Sequence, residues 1–177
     1  MVRQRTPPSL PRKTTVPHPC LPRRPLIPGY VLGQGSCLDR AQLVKYMART
    51  YAEISPQVSQ SHIAATVENH LSPATPLWWV WQASPDVGDP VACLWLGNAV
   101  DQLSGQRHAY LLVLYVDPAH RRQGIATALM HQAQTWATQR GDHQIGLQVL
   151  SNNVTALTLY RRLGYVSHAI MMTKPLP

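Results

Sequence analysis

A cationic turn containing a glycine separates an apolar run from an amphipathic run, and this arrangement can bind an anion. The segment covers residues 114–126 and reads LYVDPAHRRQGIA. Glycine lets the backbone approach a ligand closely, the first amides of a helix are free, and the helix dipole favours negative charge there. Arg121 and Arg122 add two cations. The turn therefore indicates a phosphate or pyrophosphate site, with solvated arginines on a plain strand-to-helix turn as the alternative.

The runs on either side of the turn predict the elements that position it. Residues 109–116 are almost continuously apolar, as in a strand buried on both faces in the middle of a sheet. After Gly124 the apolar residues recur at helical spacing, and Arg140 followed by Gly141 is a typical helix ending. The turn fits neither the GxGxxG nor the GxxxxGK[ST] pattern, which argues against Rossmann and P-loop sites.

The other segments predict alternating strands and helices. The predicted strands are residues 30–32, 76–81, 91–96, 143–150 and a last one through Met171, and the predicted helices are residues 39–55, 59–71 and one after Asn153 that closes at Gly164. Asp39 has capping-box spacing, and the strands at 76–81 and 91–96 are separated by a turn-rich stretch that predicts a hairpin. This order predicts an α/β sandwich around a mixed sheet.

The first 28 residues differ in composition from the rest. Residues 1–30 contain six of the sixteen lysines and arginines, none of the eight acidic residues, and half of the sixteen prolines. Prolines remove backbone donors and favour extended conformations. We expect residues 1–28 to be a disordered, basic, proline-rich extension, and residues 29–177 to form one domain. A targeting signal or an electrostatic tether is the alternative for the extension.

The net charge of +8 suggests nucleic acid, but most of it lies in the extension. The charge distribution argues against a nucleic-acid site in the folded part; binding through the extension, weakening steeply with salt, is the alternative. The three cysteines lack the spacing of a zinc site or a disulfide framework, so we expect no metal and a cytoplasmic protein with reduced thiols. No apolar run approaches the roughly 18 residues of a membrane-spanning helix.

Two motifs resemble those of the GNAT superfamily, the acetyl-CoA-dependent N-acetyltransferases. Residues 121–126 (RRQGIA) resemble its Q/R-x-x-G-x-G/A motif, and residues 153–165 (NVTALTLYRRLGY) resemble its N-x-x-A-x-x-L-Y-x-x-x-G-F/Y block. The resemblance is specific from about residue 111 to 174. It implies a GNAT-like mixed central sheet of about six or seven strands, flanked by about four helices, in which two central strands splay apart.

The resemblance also implies a binding site for acetyl-CoA. Pantetheine would lie as an extra strand against the main chain of Leu114, Tyr115 and Val116. The pyrophosphate would lie in the turn, whose implied binding residues are Arg121, Arg122, Gln123, Gly124, Ile125, Ala126 and Thr127. Asn153 matches a position that helps to bind the cofactor arm, with plain helix capping as the alternative. Tyr160 matches the tyrosine near the thioester sulfur, where a phenol can assist the departing thiolate; a core tyrosine is the alternative.

The implied reaction is direct attack of a primary amine, from a small molecule or from a protein or peptide, on the acetyl carbonyl. Residues 109–116 contain no carboxylate, and Gln148 lies where ribosomal-protein N-terminal acetyltransferases have glutamate. An amide cannot act as a general base. Deprotonation of the amine is therefore left to a water chain, which we favour, or to His108, His120, Asp117 or bulk solvent.

The acceptor, the length of the acyl group and the choice between monomer and homodimer stay open. The aromatic residues near the predicted hairpin favour core packing over an acceptor groove; they are Trp78, Trp79, Trp81 and Trp95. The missing carboxylate also favours an alternative function, a non-catalytic acyl-CoA-binding module that regulates a partner.

Overall fold

The computed structural model describes residues 22–56, 59–84 and 88–176. Within these ranges six strands form one sheet and four α-helices pack on its two faces. The elements in chain order are β1 (Arg24–Ile27), β2 (Tyr30–Gln34), α1 (Arg40–Ile54), α2 (Ile63–His70), β3 (Leu77–Gln82), β4 (Ala92–Val100), β5 (Arg107–Val116), α3 (Ile125–Arg140), β6 (Ile145–Leu147) and α4 (Val154–Arg162). The predicted α/β class, with a mixed sheet and four helices, is confirmed.

The strands lie side by side in chain order, from β1 to β6. Neighbours are antiparallel except for β5 and β6, which are parallel. Two parallel neighbours need a crossover connection, and α3 provides it. The turn before α3 therefore leaves the sheet from the end of β5, at the boundary between its antiparallel and parallel parts.

Two apolar clusters, one on each face of the sheet, hold the helices. On the α3/α4 face, Leu129 and Met130 of α3 are fully buried against Leu94 and Leu111. On the α1/α2 face, Leu43, Tyr46 and Met47 of α1 pack with residues of β3, β4 and β5. The four tryptophans considered for an acceptor groove, Trp78, Trp79, Trp81 and Trp95, are all buried in these clusters. Their side chains belong to the core.

The start of α1 differs in detail from the prediction. Asp39 forms no side-chain cap of α1; its carboxylate instead accepts from the amide of Ser36 at 2.7 Å. Ser36 caps a 3₁₀ turn, Cys37–Asp39, that leads directly into α1. The capping box is thus real but begins three residues earlier than the spacing suggested, because the chain tightens into a 3₁₀ turn before the helix.

The sheet begins earlier than predicted. Strand β1 lies inside the segment expected to be disordered and pairs antiparallel with β2. Pro25 is tolerated there because β1 is an edge strand, which can lack a backbone donor on its open side. The remainder of the expected extension, residues 1–21, lies outside the described residues.

The C-terminal part has less strand than predicted. The strand expected over residues 143–150 is confined to β6, and the last strand through Met171 is not formed, since residues 165–176 are neither helix nor strand. A strand needs a neighbouring edge for its hydrogen bonds. The last segment pairs with none, and Ile170 and Met172 are 88% and 89% exposed.

Candidate functional site

β5 and β6 are paired along only part of β5. Their described register joins Ala109 to Ile145, Tyr110 to Gly146 and Leu111 to Leu147. β5 continues for five more residues without a partner from β6. We call residues 107–111 the paired half of β5 and residues 112–116 its open half. The open half leaves backbone hydrogen-bonding groups on one edge without a described strand neighbour, which confirms the predicted splay.

A β-bulge marks the border between the two halves. Leu96 of β4 lies opposite Leu111 and Trp95 lies opposite Val113, so Leu112 is the extra residue. A bulge bends its strand and increases the local twist. It also reverses the alternation of side chains, because Leu111 faces the α3/α4 core whereas Val113 faces the α1/α2 core. The bulge therefore lies at the point where the pairing of β5 with β6 ends.

The three residues expected to contact pantetheine lie along this open half. Leu114 and Val116 pack partly against the α3/α4 core, whereas the side chain of Tyr115 is buried in the α1/α2 core. Any contact of Tyr115 with a ligand in the gap therefore has to use its main chain.

The turn that follows β5 has an unusual backbone. Asp117 caps a 3₁₀ turn, Pro118–His120, by accepting from the amide of Ala119 at 3.0 Å. Arg122 then adopts φ +63° and Gly124 φ +87°. Both values lie in the left-handed region, which glycine adopts freely and which is strained for an arginine. Such alternations turn successive amides toward one side of the chain.

The amides of this turn are available to a ligand. Among the described residues, the amides of Arg122, Gln123 and Gly124 donate to no backbone acceptor. Those of Ile125, Ala126 and Thr127 are the first three of α3, which no residue of the helix itself can accept. A methyl group built on Gly124 would meet only the Cδ1 atom of Ile27, at 4.0 Å. The free amides and the uncrowded glycine are compatible with an anionic group such as a pyrophosphate.

The two arginines of the turn have different surroundings. Arg121 turns back toward the sheet: its Nε donates to the carbonyl oxygen of Val116 at 2.9 Å, and its guanidinium lies 2.6 Å from the carboxylate of Glu53 on α1. Arg122 is exposed. The sequence had assigned both cations to one anion, but Arg121 already has an acidic partner from a distant part of the chain.

Gln123 is held by a residue that the sequence analysis did not single out for the site. The hydroxyl of Tyr30, at the start of β2, donates to Oε1 of Gln123 at 2.7 Å and lies 2.9 Å from Nδ1 of His120. Tyr30 is 90 or more residues away from both partners in sequence. The sequence shows that the predicted strand at residues 30–32 begins with a tyrosine, but it does not indicate which residues the hydroxyl binds.

On α4, Asn153 caps the helix, as one of the two interpretations predicted. Its Oδ1 accepts from the amide of Ala156 at 3.1 Å. Tyr160, further along α4, packs against the α3/α4 core, against which Leu114 and Val116 also pack. Burial raises the pKa of Tyr160 to about 12, so its phenol is protonated at neutral pH. It can donate a hydrogen bond but cannot serve as a base.

The other groups considered for proton transfer are dispersed. His108 is buried in the paired half of β5, where a Cβ on Gly146 would lie 2.9 Å from its Nε2. Asp117 is a cap and His120 is bound to Tyr30. Gln148 contacts Met171 of the C-terminal segment. In the described ranges, no three histidine, cysteine or acidic side chains are grouped so as to hold a metal ion.

A splayed strand pair beside an amide-lined turn defines an α/β protein that can hold an extended ligand ending in phosphate. The family model that matches the chain is the acetyltransferase (GNAT) family, over residues 42–165. The chain therefore belongs to the GNAT acetyltransferase family. Among its described helices, none has the length and apolar character needed to cross a membrane.

Relatives with similar sequences are named as acetyltransferases. An uncharacterized N-acetyltransferase of Bacillus subtilis, YdgE, is 30% identical over 98 residues, which are 55% of this chain and 61% of that protein. The chain thus matches less than two thirds of that relative's length. Bovine thialysine N-ε-acetyltransferase is 28% identical over 137 residues, covering 74% of this chain and 79% of the relative.

Solved structures share the fold at low sequence identity. A predicted acetyltransferase from Clostridium acetobutylicum, solved with acetyl-CoA, aligns with a TM-score of 0.68 and 17% identity over 82% of this chain and 96% of its own. A GCN5-related N-acetyltransferase from Ralstonia eutropha aligns with a TM-score of 0.64 and 22% identity over 84% and 99%. These alignments support the arrangement of the sheet and helices.

Proposed function

We propose that this protein transfers an acetyl group from acetyl-CoA to a primary amine of a small molecule or of a protein or peptide. The observation that carries the proposal is the open half of β5 leading directly into a turn with free amides. An extended acyl carrier ending in pyrophosphate matches this shape. The family match and the relatives named for acetylating amines support it.

The turn would bind the pyrophosphate through its main chain. The amides of residues 122–127 have no described backbone acceptor and lie at the positive end of the α3 dipole, where a polyanion is favoured. Hydrogen bonds from amides to a charged oxygen are roughly twice as strong as neutral ones. Because these contacts come from the backbone, they depend on the path of the chain, especially on Gly124, more than on side-chain identity.

The open half would bind the pantetheine arm as an added strand. The amides and carbonyls of the open half would bind the pantetheine arm in the way that those of residues 109–111 bind β6. The carbonyl of Val116 already accepts from Arg121. That oxygen has a second lone pair, so the ligand can bind it beside the guanidinium or in its place. The ligand's pyrophosphate is the group that could draw Arg121 away from Glu53.

The reaction joins the amine nitrogen to the acetyl carbon and breaks the bond from that carbon to sulfur. Tyr160 would assist the departing thiolate by donating a hydrogen bond from its phenol. Burial raises the pKa of Tyr160 to about 12, above that of an ordinary thiol, so the phenol keeps its proton while it stabilises the thiolate. The proton lost by the amine would pass to water, since no carboxylate belongs to the open half. Gln148 would at most orient a water molecule. Asn153 would remain the α4 cap while its exposed side contacts the cofactor arm.

The proposal also covers the location of the protein, its oligomeric state and its N-terminal segment. We propose a cytoplasmic protein, acting as a monomer or homodimer, in which residues 1–21, before β1, are accessory to catalysis. Deleting residues 1–21 should leave acetyl-CoA affinity unchanged in calorimetry, and a large loss of affinity would contradict an accessory role.

The test of the function is calorimetric titration with acetyl-CoA followed by a panel of amines in a thiol-release assay. The panel should include thialysine and an aminoglycoside, because relatives are named for those acceptors. Binding together with amine-dependent CoA release is expected. A folded sample that fails to bind acetyl-CoA would contradict the proposal.

A second function is favoured by the absence of a carboxylate from the open half: an acyl-CoA-binding module that regulates a partner without turnover. Replacing Tyr160 by Phe separates the two functions. An enzyme that uses the phenol should keep its acetyl-CoA affinity and lose roughly 100-fold or more of its turnover. Tight binding with no CoA release for any amine would favour the module.

A further inference from the structure

One side chain ties two points of the phosphate-binding turn to the sheet. The hydroxyl of Tyr30 lies 2.9 Å from Nδ1 of His120 and 2.7 Å from Oε1 of Gln123. These two partners stand on either side of Arg121 and Arg122. The ring of Tyr30 is itself 6% exposed and is fixed in the α3/α4 core. Two hydrogen bonds of the Tyr30 hydroxyl thus connect the turn to the sheet.

The proton count of this group defines the roles of its partners. A phenol has a single proton, and Tyr30 uses it in the hydrogen bond to Oε1 of Gln123. Nδ1 of His120 must then be the donor to the phenol oxygen. This arrangement is available to a neutral imidazole with its proton on Nδ1 and also to an imidazolium. The imidazole further packs edge-on against the Tyr30 ring, with ring centroids 5.8 Å apart.

The backbone of the two arginines between His120 and Gln123 needs such support. Arg122, between the two anchors, has φ +63°, a conformation that a residue with a side chain rarely adopts. Unfavourable backbone conformations persist only where the surroundings over-determine them. The two bonds of Tyr30 fix the chain immediately before and after the arginines, at positions 120 and 123.

The β1–β2 hairpin adds a second set of contacts below the turn. Ile27 of β1 is the register partner of Tyr30, and its Cδ1 is the atom closest to a Cβ built on Gly124, at 4.0 Å. Arg24, also on β1, donates to Gln132 of α3. The hairpin therefore supports both the turn and the helix whose first amides have no acceptor within the helix.

We infer that Tyr30 is a positioning residue for the pyrophosphate of acetyl-CoA. It acts through Gln123 and His120 and holds the turn in its binding conformation before the ligand arrives. The inference rests on the proposed function. Apparent affinity scales with the fraction of molecules in the competent conformation, so loosening the turn weakens binding without altering the chemical step.

The test compares Tyr30→Phe with Tyr51→Phe in the full chain. Tyr30→Phe removes both bonds and keeps the ring. Tyr51 lies on α1, is 37% exposed and makes a ring contact with His62, so it serves as a matched loss of a hydroxyl outside the site. Three quantities are measured: amide exchange of residues 119–127 without ligand, calorimetric Kd for acetyl-CoA, and kcat at saturating acetyl-CoA.

The expected result for Tyr30→Phe is faster exchange of the turn, a Kd raised about tenfold, and a kcat within about twofold of wild type. Tyr51→Phe should change none of these. Gln123→Ala, an exposed position that leaves the core intact, should reproduce part of the rise in Kd and should add little to it when combined with Tyr30→Phe. This variant keeps the test available if Tyr30→Phe folds poorly.

The outcomes separate the inference from the proposed function. If wild type binds acetyl-CoA and Tyr30→Phe and Gln123→Ala bind it equally well, the inference is overturned and the function stands. An equal fall in kcat and in affinity, with no change in exchange of the turn, also overturns it. If wild type does not bind acetyl-CoA, the proposed function is contradicted and the inference is withdrawn with it.

Discussion

The two halves of β5 differ in the number of strands that they are bonded to. Residues 109–111 of the paired half are bonded on both edges, to β4 and to β6, while the open half is bonded only to β4 in the described structure. The paired half is further fixed at its start, where the amide of Ala109 donates to the buried carboxylate of Asp142. Pairing on both edges gives stability, and leaving one edge open gives a place for a ligand.

The largest expected effect concerns the paired half. Asp142 accepts from Ala109 at 3.1 Å and pairs with Arg140 at 2.5 Å, and its side chain is 6% exposed. Asp142→Ala should lower the free energy of unfolding by about 3 kcal/mol, because it leaves a buried amide and a guanidinium without their partner. Urea denaturation measures this change.

The control for that experiment is Asp89→Ala. Asp89 forms an ion pair with Lys45 whose side chains are 70% and 51% exposed, and it should cost less than about 1 kcal/mol. If folded Asp142→Ala protein also loses its acetyl-CoA affinity, the division of β5 into a stabilising half and a binding half is wrong.

The second prediction concerns alkaline pH and the two phenols that flank the open half. Burial raises the pKa of Tyr160, on the α3/α4 face, and of Tyr46, which packs against Tyr115 on the α1/α2 face, to about 12. An unfolded tyrosine has a pKa of about 10. The folded state therefore holds protons that the unfolded state releases between pH 10 and 12, and stability falls in that window.

Chemical denaturation from pH 8 to 12 measures this loss. The contribution is complete below pH 10 and declines by at most about 1.4 kcal/mol per pH unit for each of the two phenols. Tyr160→Phe should flatten the decline. A stability that is flat up to pH 12 would contradict the burial of these groups.

The third prediction concerns glycines at the two ends of α3. Gly124 and Gly141 both have φ +87°, and neither is crowded by neighbouring atoms. Each change to Ala should cost about 1 kcal/mol of stability through backbone strain. Gly124→Ala should in addition weaken acetyl-CoA binding about tenfold, because it shifts the amides and adds a methyl to the ligand's space.

Gly141→Ala is the matched control, with the same strain at the end of the helix away from the turn. Calorimetry on both variants decides the matter. Equal acetyl-CoA affinities of the two variants would show that Gly124 shapes the turn but does not contribute to binding.

The smallest predicted effect concerns the ion pair between Glu53 and Arg121. Both side chains are about 40% exposed, so the pair is partly screened by water. Glu53→Gln should free Arg121 for the pyrophosphate and tighten acetyl-CoA binding about twofold, with the gain shrinking at high salt. Unchanged affinity at low salt would show that Arg121 does not exchange partners.

Sequence reasoning succeeded where the determining interactions are local. Gly124 and the first residues of α3 are contiguous, so the free amides and the glycine conformation follow from a short stretch of chain. Asn153 as an N-cap is a contact across three residues and was likewise predicted. The family resemblance placed the splay, which depends on β6, a strand more than thirty residues further along the chain.

The features that were missed depend on distant partners. Tyr30 reaches His120 and Gln123 across 90 or more residues, and no periodicity reports that. Arg121 was assigned to the anion because its acidic partner, Glu53, lies far away in the sequence, on α1, and could not be identified from the residues around the turn. The last strand was predicted from its apolar residues, but strand formation is decided by a free neighbouring edge, which composition does not encode.

Hydrogen–deuterium exchange of the full chain with and without saturating acetyl-CoA tests the central claim most directly. We predict that acetyl-CoA slows amide exchange in residues 112–116 and 121–127. Exchange of residues 109–111 should change little, because these residues are already bonded on both edges. Protection that appears elsewhere and leaves the open half and the turn unchanged would contradict the claim that acetyl-CoA lies along β5.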